Sequence, residues 1–228
     1  MILLTQYYIP NIKSRQQELD KCLIENINNP LIYEIHLFLE NKNIIKILKE
    51  NFNLKKIKII VINKRLSFRD SFEYSNKTFK NNEVVILSNS DIYFNNTISK
   101  LHNINLNNTF LAITRHNLNK NNEIEVERKY SPIQTQDSWI WKSPLNLKIK
   151  KEYKIYNNDG IVLGHWGCEN IMLNIIKNSG YKILNPYLDI IIIHVHNDDT
   201  RGQEDNKREY KSIWRKTIVW DKDKLEDL

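Results

Sequence analysis

Glycine is scarce in this chain, with five in 228 residues, and there are only five prolines, two methionines and two cysteines. Neither G-x-G-x-x-G nor G-x-x-x-x-G-K-[ST] occurs, which excludes the standard dinucleotide fingerprint and the Walker phosphate loop. Cys22 and Cys168 have no metal-type spacing, so a disulfide scaffold or cysteine zinc site is excluded and a reducing compartment is expected. No apolar run approaches the roughly 20 residues that cross a bilayer. The start, Met1-Ile-Leu-Leu-Thr-Gln-Tyr-Tyr-Ile-Pro10, lacks the basic n-region and cleavage site of a secretory leader, so a cytoplasmic protein without a transmembrane segment is expected. No proline-rich linker, composition shift or internal repeat divides the chain, and one domain is expected.

What is present fits a folded globular protein: 41% hydrophobic and 10% aromatic residues, with a formal net charge of +7. The charge attracts phosphates. Its lysines are dispersed without a basic arm, and the aromatics follow no RNA-recognition pattern, so a small anionic ligand such as a nucleotide diphosphate is expected rather than nucleic acid.

Apolar spacing predicts strands at Ile2 to Tyr7, Ile32 to Leu39, Lys56 to Ile62 and Val84 to Leu87. Helices between them start near Ser14 and Ile44 and after Ser67, with capping boxes at Ser14/Gln17 and Ser67/Asp70. Lys56 to Ile62 is apolar on both faces, as a parallel strand under helices is. The β-α-β-α-β-α-β order implies an open, mostly parallel sheet whose ligands bind beyond the C-terminal strand ends. Later the alternation weakens: strands are expected at Phe110 to Thr114, Ser138 to Trp141 and Ile190 to His196, a polar turn at Asn117 to Asn122, and a helix at Glu169 to Asn178. A mixed sheet follows from this. The tail from Gln203 is charged but carries Tyr210, Trp214 and Trp220, so it is expected to pack on the domain.

Three of the five glycines crowd into Asp159-Gly-Ile-Val-Leu-Gly-His-Trp-Gly-Cys-Glu-Asn170, just before a helix, where positive φ and close approach to the main chain are needed. Glu169 opens that helix, as a first-turn cap or as a catalytic carboxylate, and the helix dipole would lower its pKa. Asp137 in Gln134-Thr-Gln-Asp-Ser-Trp-Ile-Trp141 has the same two readings. Asp91 follows the apolar strand Val84-Val-Ile-Leu87, where it either caps a turn or holds a hard divalent cation. His194 and His196 lie two apart on one strand face, either as metal ligands or as hydrogen-bonded structural residues. Trp139 and Trp141 share a strand face and offer either a platform for a sugar ring or core. Arg65 and Arg69 flank the loop after the third strand, suited to gripping phosphate or to surface ion pairs.

The order of these features, Asn89-Ser-Asp91, Gln136-Asp-Ser-Trp139, His165-Trp-Gly-Cys-Glu-Asn170 and His194-Val-His196, resembles that of GT-A-fold glycosyltransferases over most of residues 1 to 200. The resemblance implies a single Rossmann-like GT-A domain of the α/β class, with a mostly parallel central sheet flanked by helices and a mixed C-terminal part. Residues 1–100 would form the nucleotide-sugar half, 101–200 the acceptor half and 201–228 the packed tail. Asn89-Ser90-Asp91 resembles the D-x-D-like motif that binds metal and sugar nucleotide, with the first carboxylate replaced. Trp166-Gly-Cys-Glu169-Asn170 resembles the W-G-G-E-D segment of galactosyltransferase-like enzymes, which implies Trp166 and Trp139 near the acceptor and Glu169 or Asp137 as base. Asn170 stands where that segment has Asp. The resemblance also implies Mn²⁺ or Mg²⁺ on Asp91 with His194 or His196, Thr5, Gln6 and Glu40 bordering base and ribose, and Arg65 near the diphosphate. The expected activity is transfer of a sugar from a nucleotide diphosphate to a hydroxyl acceptor, such as a glycan. A nucleotidyltransferase and a basic nucleic-acid-binding domain are the rivals; the first normally has a glycine- and lysine-rich loop after its first strand, and Thr5-Gln-Tyr-Tyr-Ile-Pro10 has no glycine.

Overall fold

The computed structural model describes residues 1–119, 121–126, 136–149, 151, 158, 160–164 and 167–195. His165, Trp166, His196 and the tail 201–228 therefore lie outside the described residues.

The expected alternation opens the chain: β1 (Ile2–Tyr7), α1 (Lys13–Asn28), β2 (Glu34–Leu39), α2 (Ile44–Asn51), β3 (Ile57–Val61), α3 (Phe68–Thr78) and β4 (Val84–Ser88). These strands stand in the order β3-β2-β1-β4, all parallel. The sheet then continues through β9 (Gln136–Lys142), β6 (Thr109–Thr114) and β10 (Lys182–Leu184) to seven strands. Among the described strands of this sheet, β9 alone runs antiparallel to both its neighbours. A smaller four-stranded sheet, β5-β11-β7-β8, is built from β5 (Ile92–Phe94), β7 (His116–Leu118), β8 (Ile124–Val126) and β11 (Ile192–Val195). The helix after the glycine segment is α4 (Cys168–Asn178). The fold is thus mixed α/β with a large, mainly parallel central sheet.

Alternation along the strands divides the core between the two sheet faces. On β1, Ile2 and Leu4 join Phe38, Phe72, Trp139 and Trp141 on one side, while Leu3 joins Leu19, Ile35, Leu37 and Ile113 on the other. Each fully buried Leu or Ile contributes about 1.5–3 kcal/mol.

Three local expectations need correction. The helix near Ser14 is capped at Ile12 without a side-chain bond, so Ser14 and Gln17 form no capping box, whereas the Ser67/Asp70 box is complete. β3 lies at the sheet edge and is only partly buried, because one side of an edge strand has no neighbour. The polar stretch at Asn117 begins inside β7, whose partners come from β8 and β11. Short β5 and β10 carry too few residues to show a period. Among the described residues no helix is long and apolar enough to cross a membrane.

Candidate functional site at the sheet rim

The C-terminal ends of β1, β2, β4 and β6 share one rim, and β9, being antiparallel, brings its first residues there. Asp91 lies between the end of β4 in the large sheet and β5 in the small one. It is 4% exposed, and its Oδ2 stands 3.4 Å from Nε2 of His194, which is 1% exposed on β11. The backbone closes the same junction, with Val195 N–H donating to the Asp91 carbonyl at 3.1 Å. The acid and imidazole are thus brought together, while His196 lies outside the described residues. Asn117 Oδ1 stands 3.0 Å from His194 Nδ1. An amide oxygen only accepts, so Nδ1 donates to Asn117 and the ring is turned with Nε2 toward Asp91. Two donors bound about 2.1 Å from one octahedral ion stand about 3 Å apart, so this oxygen–nitrogen pair suits a divalent cation, and the Asn117 bond is the kind that orients a ligating imidazole. Among the described residues no group of three or more acidic, histidine or cysteine side chains is arranged for an ion. The same Asp91 Oδ2 also accepts from Arg15 Nη2 at 2.7 Å.

A second cluster adjoins through Asn89. Its side-chain amide donates to Asp137 Oδ1 at 2.8 Å, and its backbone N–H donates to the Asp137 carbonyl at 3.0 Å. Arg115 Nη1 donates to Asp137 Oδ2 at 3.0 Å. Asp137 owes its position to a bulge: β6 residues Ile113 and Thr114 pair with Ser138 and Gln136, leaving Asp137 as the extra residue. Bulges of this kind re-aim a side chain at a rim.

Glu169, in the first turn of α4, also interacts electrostatically with Asp137. Desolvation pushes its carboxyl up to about 8 and the Asp137 charge adds to the rise, while its own backbone N–H, the Cys168 thiol and Arg115 oppose it. The expectation of a pKa lowered by the helix dipole is therefore corrected: removal from water outweighs the dipole here.

The residues expected on the donor side lie along the same rim. Thr5 is buried and donates to the Ser88 carbonyl at 3.0 Å, tying β1 to β4. Gln6 donates to exposed Glu40 just after β2 and accepts from Leu66 N–H at 2.9 Å, joining three strand ends. Ser90 is half-buried between Asn89 and Asp91. Arg65 is half-buried, with Nη2 only 2.9 Å from where a Cβ on Gly164 would stand. Arg69 instead pairs along α3 with Glu73 at 2.7 Å, the surface ion pair that was its other reading. Trp139 is fully buried, edge-on to Phe68 with ring centroids 4.6 Å apart. The sugar platform expected of Trp139 and Trp141 is corrected accordingly, since both indoles fill the core beneath the rim.

The glycine segment docks on the chain's own α3. Phe68 N–H donates to Ile161 O at 2.9 Å, Arg69 N–H to Gly160 O at 3.1 Å, and Leu163 N–H to Leu66 O at 3.1 Å. Sequence reasoning missed Arg15, Arg115 and Asn117. Arg15 had a signal, a cation in the first turn of a helix against the dipole, and Arg115 had another, its place directly after a strand's C-terminal end.

No family model matches the chain, and no curated protein matches it. Solved structures do. GalNAc-T7 with UDP, GalNAc and Mn²⁺ aligns at TM-score 0.52 and 13% identity over 87% of this chain and 43% of that one. The mannosyltransferase PcManGT from Pyrobaculum calidifontis, in complex with GDP-Man and Mn²⁺, aligns at 0.51 and 11% over 88% of this chain and 57% of that one. HddC from Yersinia pseudotuberculosis aligns at 0.41 and 14%, over 62% and 76%. The likeness is one of fold. This chain spans about two fifths of the GalNAc-T7 chain and somewhat over half of the mannosyltransferase. Its central sheet flanked by helices matches the Rossmann-like fold of GalNAc-T7 and the mannosyltransferase.

Proposed function

We propose that this protein is a glycosyltransferase that moves a sugar from a nucleotide diphosphate donor to a hydroxyl acceptor, with Asp91 and His194 holding Mn²⁺ or Mg²⁺. The observation that carries this reading is the meeting of Asp91 and His194, from distant parts of the chain, beside the Asn89–Asp137–Arg115 cluster on the rim where such a sheet binds ligands. A divalent cation bound there would neutralise charge developing on the departing diphosphate, a contribution of several kcal/mol. Thr5, Gln6 and Glu40 border the nucleoside, Asn89, Ser90 and Arg65 the phosphates, and Trp166 the acceptor. Glu169 keeps its proton below about pH 8, so at neutral pH it is a neutral acid and not a base. Asp137, oriented on both oxygens by Asn89 and Arg115, is the group placed to take the acceptor's proton, a role worth roughly 10²- to 10⁴-fold in rate.

The test is thermal stabilisation by UDP-, GDP-, CMP- and dTDP-sugars with and without Mn²⁺. One nucleotide class should raise the melting temperature with Mn²⁺ present, since a ligand at 100 times its Kd stabilises by about 2.7 kcal/mol. Asp91→Ala should abolish the metal-dependent part of the shift. A protein that responds to none of these nucleotides overturns the transferase reading, and a metal-dependent shift that survives Asp91→Ala removes Asp91 from the site.

A further inference from the structure

Arg15 sits where its own helix does not favour it. It lies in the first turn of α1, which has no acidic first-turn residue and no side-chain cap, so the positive end of the dipole faces a cation. Two buried carboxylates hold it there: Nη1 donates to Glu18 Oε2 and Nη2 to Asp91 Oδ2, each at 2.7 Å. The Asp91 oxygen it takes is the one that faces His194 Nε2. Two cations cannot share one carboxylate oxygen at bonding distance without strong mutual repulsion in a site this dry. Of the three side chains Arg15 is the outermost, 18% exposed against 6% for Asp91 and 2% for His194, so it has a way out toward solvent. Glu18, one turn along the same helix, can keep hold of Nη1 after Nη2 lets go.

We propose that Arg15 is the resident cation of the Asp91–His194 pair, and that a divalent ion binds by taking Asp91 Oδ2 from it, so that Arg15 sets the metal affinity of the protein. This rests on the reading of Asp91 and His194 as the ion's ligands but not on any sugar transfer. Arg15 is a positioning residue in this scheme, holding the carboxylate in place and keeping the seat closed to weakly bound ions.

The experiment is a titration of the full chain with Mn²⁺ alone, following free Mn²⁺ by electron paramagnetic resonance. Arg15→Gln, which keeps a polar side chain and loses the charge, should bind Mn²⁺ on the order of tenfold more tightly than the wild type. Arg15→Lys, which keeps the charge, should stay within a few-fold of wild type, a rescue that a merely structural role does not predict. Asp91→Asn should abolish binding in both backgrounds. Glu18→Gln, with the guanidinium left to Asp91, should weaken Mn²⁺ several-fold, and it decides the matter if Arg15→Gln does not fold. Equal or weaker binding by folded Arg15→Gln, unchanged or tighter binding by Glu18→Gln, or binding that survives Asp91→Asn overturns the proposal. A protein that shows the expected Mn²⁺ pattern but no response to nucleotide sugars keeps this inference and loses the transferase reading.

Discussion

Glu169 shows how burial decides the behaviour of a single carboxyl. An unfolded chain releases this proton near the ordinary glutamate value of 4.5, whereas the folded protein keeps it up to about 8. Between those values the folded state binds the extra proton, so the contribution of Glu169 to stability is fully present below about pH 4.5 and is lost as pH rises toward 8. Glutamine mimics the protonated acid. Glu169→Gln should therefore melt close to the wild type at pH 5 and above it at pH 8.5, in paired melts across that range. Parallel pH dependences of the two proteins would show that Glu169 titrates normally. The position of this group at a helix start was legible in the sequence. Its protonation was not, because the desolvation that sets it, with the Asp137 charge beside it, comes from segments far apart in the chain.

The contact between the glycine segment and α3 is an interaction of elements, and it changes the meaning of scarce glycine. Gly160 has φ +79°, and a Cβ there would stand 2.3 Å from Ser67 Oγ and 2.9 Å from Arg69 Cβ. The group that approaches this main chain is the capping box of α3, not a ligand. Next to it Ile161 also has positive φ, 57°, although a β-branched residue resists that conformation, so the hydrogen bonds of Ile161 with Phe68 and of Leu163 with Leu66 hold a strained backbone. Gly180 has φ +96° and nothing within 4 Å of where a Cβ would stand, so it isolates the conformational term. Gly180→Ala should cost about 1 kcal/mol, and Gly160→Ala about 3 kcal/mol or more, because overlap adds to strain. Urea unfolding of the two variants checks the difference, and equal losses would mean that the loop does not press on α3. The Ser67/Asp70 box was readable from spacing alone because its partners are three residues apart. What it docks against was not, since the strand-like pairing of Ser67 with Val162 joins segments far apart in the chain.

At the scale of the whole molecule, the strand-end rule made much of the site region readable: runs of apolar residues marked β1, β2 and β4, and the residues after them fall on one rim. The small sheet was not readable, because β5, β7 and β8 are three residues each and exist only through their partners. With it went Asn117, which orients His194 from β7. The distribution of charge completes the picture. Part of the basic character is paired at the surface, where Lys46 meets Glu50, Lys58 meets Glu34 and Lys64 meets Asp70. Paired surface charges contribute little net field beyond about 10 Å at 0.1 M salt. A duplex DNA of random sequence should consequently bind weakly, in the 10⁻⁴ to 10⁻⁶ M range of non-specific contacts, and fall away between 50 and 200 mM salt. Binding of a nucleoside diphosphate with Mn²⁺ should be saturable, lost in Asp91→Ala and far less sensitive to salt, since few phosphates are engaged. Titrations of both ligands at several salt concentrations separate the two behaviours. Tight duplex binding with a steep salt slope, unchanged by Asp91→Ala, would assign the positive charge to nucleic acid and leave the rim without its proposed substrate.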